Sequence, residues 1–223
     1  MKRSELLAST TTPDGLHMTL SQHSDNYSIE INGQELMSTR APGSEQALAE
    51  LAAQELGNTV RPRVLIGGLG LGFTLGAALE ALPSSAAVVV VELFETIVDW
   101  NRKFAFRSAT DRLADPRVQV EVIDIVDYLR TATNPFHAIL LDVDNGPGAF
   151  TVSSNGWLYG RDGLACLRRT LTPGGVLAVW SAEASRDFER AMTRAGFQAR
   201  SEAVRSRGRK GEHHTIFVGR SRS

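Results

Sequence analysis

The chain has 223 residues, a formal net charge of −1, 42% apolar and 22% charged residues. This is the length and composition of one folded domain with a small appendage. A charge so close to neutral argues against nucleic acid as a partner held by bulk electrostatics. No apolar run reaches membrane-spanning length, so no membrane partner is expected. The first residues, Met1-Lys-Arg-Ser-Glu-Leu-Leu-Ala8, lack the apolar stretch of a signal peptide. Cys166 is the single cysteine, which precludes an internal disulfide. A cytoplasmic location is the expectation.

Residues 1–14 show no periodicity and read as a loose tail. Leu16–Leu20, Tyr27–Ile31 and Leu36-Met37 alternate, separated by turn signals at Ser24-Asp-Asn26 and Asn32-Gly33. Asn-Gly between alternating apolar residues marks a hairpin, so residues 1–42 are read as a tail and a small β meander. Residues 43–223 are read as the main domain. It begins with a helix over Gly43–Leu56, capped by Ser44 and ended by Gly57. Leu48, Leu51, Ala52 and Leu56 share one face, suited to the core or to a homodimer surface.

A β-branched run then enters Val64-Leu-Ile-Gly-Gly-Leu-Gly-Leu-Gly72. A helix pattern follows over Phe73–Leu82, then a buried strand over Ala86–Val91, closed by Glu92. Glycines admit a ligand to within contact of the backbone. An acid about 20 residues on is placed to accept from ribose hydroxyls. The spacing Gly68-x-Gly70-x-Gly72 lacks the third interval of a dinucleotide fingerprint, and no Lys-Ser or Lys-Thr follows for a P-loop. The unit suits a nucleoside without phosphates, such as S-adenosylmethionine. The alternative is a turn serving only the backbone.

Beyond Glu92 come a helix over Phe94–Phe104, a strand over Arg117–Ile123 ending at Asp124, and a short helix over Ile125–Leu129. The strand His137–Leu141 ends at Asp142-Val-Asp-Asn145, and the Gly146-Pro147-Gly148 loop leads past Trp157 and Tyr159. Helix Arg161–Leu171, strand Val176–Trp180, helix Glu183–Ala195 and strands Phe197–Val204 and His213–Gly219 complete the chain. Alternating strands and helices predict a parallel sheet covered on both faces. The last two strands have no helix between them and should pair as an antiparallel hairpin. Ligands of such sheets lie at the carboxyl ends of the strands, where the glycines, Glu92, Asp124 and Asp142 should converge.

Other residues carry two readings each. Arg205, Arg207, Arg209 and Lys210 form either a solvated hairpin tip or a clamp for an anionic substrate. His213 and His214 are adjacent on a strand, so at most one faces a site. No histidine spacing suits a metal. Cys166, in Leu164-Ala-Cys-Leu167, reads as core. Trp157 and Tyr159 suit an acceptor pocket wall or the core equally.

The sequence resembles the spermidine synthases and related polyamine aminopropyltransferases from about Ile29 to Trp180. The resemblance is carried by Gly33-Gln-Glu-Leu36, the glycine turn, Asp115-Pro-Arg-Val118 with Asp124, Asp142 with Gly146-Pro147, and Leu171-Thr-Pro-Gly-Gly-Val-Leu-Ala178. It implies a Rossmann-like, class I methyltransferase α/β fold: a mostly parallel seven-stranded sheet with a C-terminal antiparallel hairpin, behind an N-terminal β meander. It implies that Glu92 binds the ribose, beside Leu93. Asp124 would accept from the adenine amino group, with Ile125 beside the ring. Gly67, Gly68, Gly70 and Gly72 would run under the methionine-derived chain, with Asp142 next to the reacting amine or side chain.

The chain departs from that family where amines are held. The family's Gly-Gly-Gly-Asp-Gly-Gly is Gly67-Gly-Leu-Gly-Leu-Gly72 here, with Gly70 in place of the acid. The acidic loop is shortened to Asp142-Val-Asp-Asn-Gly-Pro147, so that Asp144 or Asn145 takes the base position. The helix that carries Tyr-His-Glu in the family begins Ser44-Glu-Gln here. If the acceptor is an amine, Asp142 and Asp144 are the candidate catalytic bases.

Three functions follow. The first is methyl transfer from S-adenosylmethionine to a small acceptor, an anionic one being one case, leaving S-adenosylhomocysteine. The second is aminopropyl transfer from decarboxylated S-adenosylmethionine, leaving methylthioadenosine. The third is a non-catalytic chain that binds the nucleoside or a protein partner.

Overall fold

Seven strands of the computed structural model form one sheet in the order β10 (Phe197–Arg207), β11 (Lys210–Ser221), β9 (Leu171–Ser181), β8 (Phe136–Leu141), β5 (Arg63–Gly67), β6 (Ala87–Glu92) and β7 (Val118–Val122). The structure describes residues 4–12, 15–107, 111–143, 146–147, 156–207 and 210–222. Strands β5, β6, β7, β8 and β9 run parallel. β10 and β11 form the expected hairpin, with β11 antiparallel to β9. The central strands are buried on both faces, which is why Val64–Ile66 and Val88–Val91 read as unbroken apolar runs.

Helices α1 (Gly43–Leu56), α2 (Phe73–Ala81) and α3 (Glu95–Phe104) contribute to one buried cluster, which joins Leu48 and Ala52 to Ile66, Val90 and Ile97. Helices α4 (Ile125–Thr131), α5 (Gly156–Tyr159), α6 (Arg161–Thr170) and α7 (Arg186–Arg194) contribute to the other, around Leu65, Leu141, Leu167 and Phe217. Cys166 is buried there, as its apolar surroundings predict. Tyr159 is also core, its ring edge-on to Phe188 and its hydroxyl donating to the Val143 carbonyl at 3.2 Å. Trp157 packs against that cluster beneath the Arg130 guanidinium. Among the described residues, no helix is long and apolar enough to cross a membrane.

Two expectations are corrected. The stretch taken for a loose tail contains β1 (Glu5–Thr11), which pairs with β2 (His17–His23). With β3 (Asn26–Ile31) and β4 (Gln34–Ser38) it makes a four-stranded antiparallel sheet. Glu5–Thr11 has little periodicity because both its faces are largely polar or half exposed, and its order comes from backbone pairing. The second correction concerns Ser44. It is buried inside α1, and its hydroxyl donates to Glu45 Oε2 at 2.6 Å instead of capping the helix, whose N-cap is Pro42.

The β1–β4 sheet joins the first buried cluster through Met18, Leu20 and Ile29. At the other end of α1, Glu55 receives Arg200 Nη1 at 2.9 Å and Arg220 Nε at 2.7 Å, tying the helix to the hairpin. These pairs are partly exposed, so each adds at most about 1 kcal/mol.

Candidate active site

A cavity of about 650 Å³ opens at the carboxyl ends of the parallel strands, between the glycine turn, the meander and the C-terminal hairpin. Gly68, Gly70, Glu92, Leu93, Asp124, Ile125 and Asp142 all border it. Residues far apart in sequence therefore meet at one sheet edge, as the strand-end rule anticipates.

The turn after β5 needs glycine for steric reasons. Gly68 has φ 90°, and a Cβ there would lie 2.3 Å from the Asp142 carbonyl oxygen. Gly70 has φ 52°, and a Cβ there would lie 2.9 Å from Met37 Sδ. Gly67 and Gly72 face protein. Gly67 packs on Leu141 and Ile125, and Gly72 looks toward Asn101 and Arg112.

Glu92 is buried at the end of β6. Its Oε2 accepts from Leu69 N–H at 2.9 Å and its Oε1 from Phe94 N–H at 3.0 Å. The carboxylate is thus aimed at the glycine turn. Burial raises its pKa, and the backbone N–H groups of Phe94, Leu69, Gly70 and Leu93 counter that rise. Among the described residues only the Leu69 and Phe94 N–H groups reach it with hydrogen-bond geometry, so about two of its four lone-pair positions can accept further hydrogen bonds.

Asp124 caps α4, with Oδ1 accepting from Val126 N–H at 2.7 Å. Ile125 is buried behind it, against Gly67. These two sit at the β7 side of the cavity, and Leu93 lies half exposed nearby.

Asp142, after β8, marks the opposite end. Its carboxyl is pushed up to about 7, first by burial and then by the Glu45 charge, while the Thr74 hydroxyl lowers it by donating to Oδ2 at 2.5 Å. A carboxyl poised there exchanges a proton near neutral pH, which suits a general base. Asp144 and Asn145 lie outside the described residues.

The wall residues Glu45, Trp180 and Met37 escaped the sequence reading, and of the adjacent histidines it is His214 that borders the cavity. Glu45 reaches the cavity because Gly43 lets α1 begin hard against β10, where a Cβ would sit 2.9 Å from the Ser206 carbonyl oxygen. The signal was the acid in the first turn of α1, within the Ser44-Glu-Gln segment that departs from Tyr-His-Glu. Trp180 on β9 and His214 on β11 lie near the cavity with tilted rings 4.9 Å apart, diagonal to each other because Trp180 stands opposite Ile216. Trp180 Nε1 and His214 Nδ1 have no hydrogen-bond partner among the described residues. Burial lowers the His214 pKa, opposed mainly by Glu45 and then Glu212, while His213 adds to the lowering. Their cross-strand contact was illegible because it depends on register. Met37 closes the cavity over Gly70.

Of the basic hairpin segment, Arg207 borders the cavity, while Arg205 donates to the Gly211 carbonyl at 3.3 Å. Arg209 lies outside the described residues. Arg40 also borders the cavity, paired with Glu35. Among the described residues no cluster of His, Cys, Asp and Glu could hold a metal.

No family model matches the chain. It is 31% identical over 119 residues to the "Polyamine aminopropyltransferase" of Nitrosomonas europaea, a match covering 53% of this chain and 34% of that protein. It is 32% identical over 126 residues to "Polyamine aminopropyltransferase 2" of Pseudomonas aeruginosa, covering 55% and 34%. The match thus spans about a third of the length of these relatives.

A spermidine synthase solved with the transition state analogue AdoDATO superposes with a TM-score of 0.77 at 16% identity, covering 97% of this chain and 72% of that one. The spermidine synthase of Thermotoga maritima superposes with the same score at 17% identity and the same coverage. At those identities the likeness concerns the fold. In sequence over half its length, and in fold over nearly all of it, the chain is spermidine synthase-like, with a Rossmann-like class I methyltransferase fold.

Proposed function

We propose that the chain binds an adenosyl sulfonium along the sheet edge and transfers its aminopropyl group to a small amine. The observation that carries this reading is the buried carboxyl of Asp142 with Glu45 close enough to raise it. A donor whose ribose lies at Glu92 and whose side chain crosses Gly68 and Gly70 points that side chain toward the two acids. An ammonium there is stabilised by the pair. The α-carboxylate of S-adenosylmethionine would place a third anion in a buried site, which is strongly unfavourable. Decarboxylated S-adenosylmethionine lacks that group. The expectation of methyl transfer to an anionic acceptor finds no support in the relatives, whose names are those of aminopropyltransferases.

The residues fit such a donor. Gly68 and Gly70 leave no side chain between backbone and ligand, and Glu92 offers buried acceptor lone pairs beside them. Asp124 and Leu93 suit the adenine, with Ile125 at its ring. The bound sulfonium supplies its own leaving group, so the protein contributes alignment, exclusion of water and a proton acceptor. The acceptor nitrogen bonds to the aminopropyl carbon attached to sulfur, the bond between that carbon and sulfur breaks, and methylthioadenosine departs. Ionised Asp142 takes the proton that the amine loses.

Titration calorimetry of the native chain with the two donors tests the reading. Tighter binding of the decarboxylated donor, by about tenfold or more, is expected. Preference for S-adenosylmethionine would return the site to methyl transfer. Binding without turnover of either would favour a non-catalytic chain.

A further inference from the structure

The glycine turn has an inner face and an outer face. Inside, Leu69 N–H meets Glu92 and the α-carbons of Gly68 and Gly70 border the cavity. Outside, the turn's carbonyls meet two side chains from other elements. Asn101, buried on α3, donates from Nδ2 to the Gly70 carbonyl at 2.8 Å and to the Ile97 carbonyl at 2.9 Å. Arg112, from the short 3-10 turn Arg112–Ala114, donates from Nη1 to the Gly72 carbonyl at 2.8 Å and the Leu71 carbonyl at 3.4 Å.

Arg112 fits there only because neighbouring positions lack side chains. A Cβ at Gly76 would lie 2.6 Å from its Nε, and one at Gly72 would lie 3.3 Å from Nη1 and 2.9 Å from Asn101 Oδ1. The guanidinium also lies over the Phe73 ring, 5.6 Å from its centroid. Among the described residues no carboxylate is within ion-pair distance of it. Glu80 acts on it only through space, and burial lowers its pKa. A partly buried cation is thus spent on backbone carbonyls behind the turn, although cations at a helix N-terminus are disfavoured.

We propose that Asn101 and Arg112 are positioning residues for the donor site: by holding the Gly70 and Gly72 carbonyls outward, they keep the N–H and α-carbon face of the turn toward the ligand and Leu69 N–H on Glu92. This rests on the adenosyl-binding reading above. Flexible glycines at φ 52° and 75° have many alternatives, and the two staples remove them. Neither residue reaches the reacting atoms.

The test compares native chain, Arg112→Met, Arg112→Lys and Asn101→Leu by calorimetry with methylthioadenosine and with decarboxylated S-adenosylmethionine. Lost positioning weakens the neutral thioether and the cationic donor alike. We expect about a tenfold rise in both dissociation constants for Arg112→Met and Asn101→Leu, the loss of one charged or buried hydrogen-bond partner. Arg112→Lys should recover part of the loss, and the KM for the acceptor should stay within twofold. A purely electrostatic role predicts the opposite sign for Arg112→Met: tighter binding of the cationic donor and unchanged thioether affinity. That result, or native affinity in folded variants, overturns the proposal while leaving the adenosyl reading intact. If Arg112→Met does not fold, Asn101→Leu and Arg112→Lys decide the matter. A native chain that binds no adenosyl thioether overturns both.

Discussion

Glu45 and Asp142 act on each other at one end of the cavity: the charge of the first helps to lift the carboxyl of the second to about 7. One stands in the first turn of α1 and the other at the end of β8. Only the fold makes them neighbours.

Activity should follow this coupling. The base form of Asp142 is ionised, so turnover should rise with pH through about 7. Glu45→Gln removes the like charge and should move that limb to lower pH, still above an ordinary carboxyl because burial remains. Thr74→Val removes the hydroxyl that donates to Asp142 and should move it upward. Stability has the opposite sense. The folded state binds the proton more tightly than the unfolded chain does, so the stabilisation is complete below the ordinary value of 3.8 and lost as pH rises through about 7. Asp142→Asn should therefore raise the melting temperature at pH 8 by several degrees, by less at pH 5, where about a third of the penalty is already present, and hardly at all below the ordinary value of 3.8. Kinetics across pH and thermal melts at these values check the two halves.

Glu92 offers a cleaner separation of donor from acceptor. Its replacement by Gln keeps the shape but turns one acceptor into a donor, facing the Leu69 or Phe94 N–H. The affinity for methylthioadenosine should fall by about tenfold to a hundredfold, since hydrogen bonds to a charged group are each worth about 1.5–3 kcal/mol. The KM for the acceptor should be unchanged. Calorimetry and steady-state kinetics on the same variant read both.

Gly70 and Met37 predict a coupling of their own. A side chain at position 70 meets the Met37 sulfur, so Gly70→Asp alone should destabilise the fold by about 1–3 kcal/mol through overpacking and backbone strain. Met37→Ala should recover much of that loss when combined with it. A double-mutant cycle by denaturant melts should show a coupling above about 0.5 kcal/mol, whereas independent sites would add.

The parallel sheet, its hairpin and the convergence of the glycine turn with Glu92, Asp124 and Asp142 were legible because local pattern fixes them. Unbroken β-branched runs, glycines at the strand end and acids after strands each announce themselves within a few residues. β1 was not legible, since pairing rather than periodicity orders it. Glu45 was not legible as a site residue because packing of α1 against the hairpin brings it to the cavity, and Trp180 was not because its place beside His214 depends on strand register. The roles of Asn101 and Arg112 were hidden for a related reason. They bind backbone carbonyls, which carry no sequence signature.

The most direct measurement is identification of the nucleoside product when the native chain is incubated with a small diamine and each donor in turn. The account predicts methylthioadenosine from decarboxylated S-adenosylmethionine, formed in step with an aminopropylated amine and abolished by Asp142→Asn. Formation of S-adenosylhomocysteine from S-adenosylmethionine, with the decarboxylated donor untouched, would contradict it.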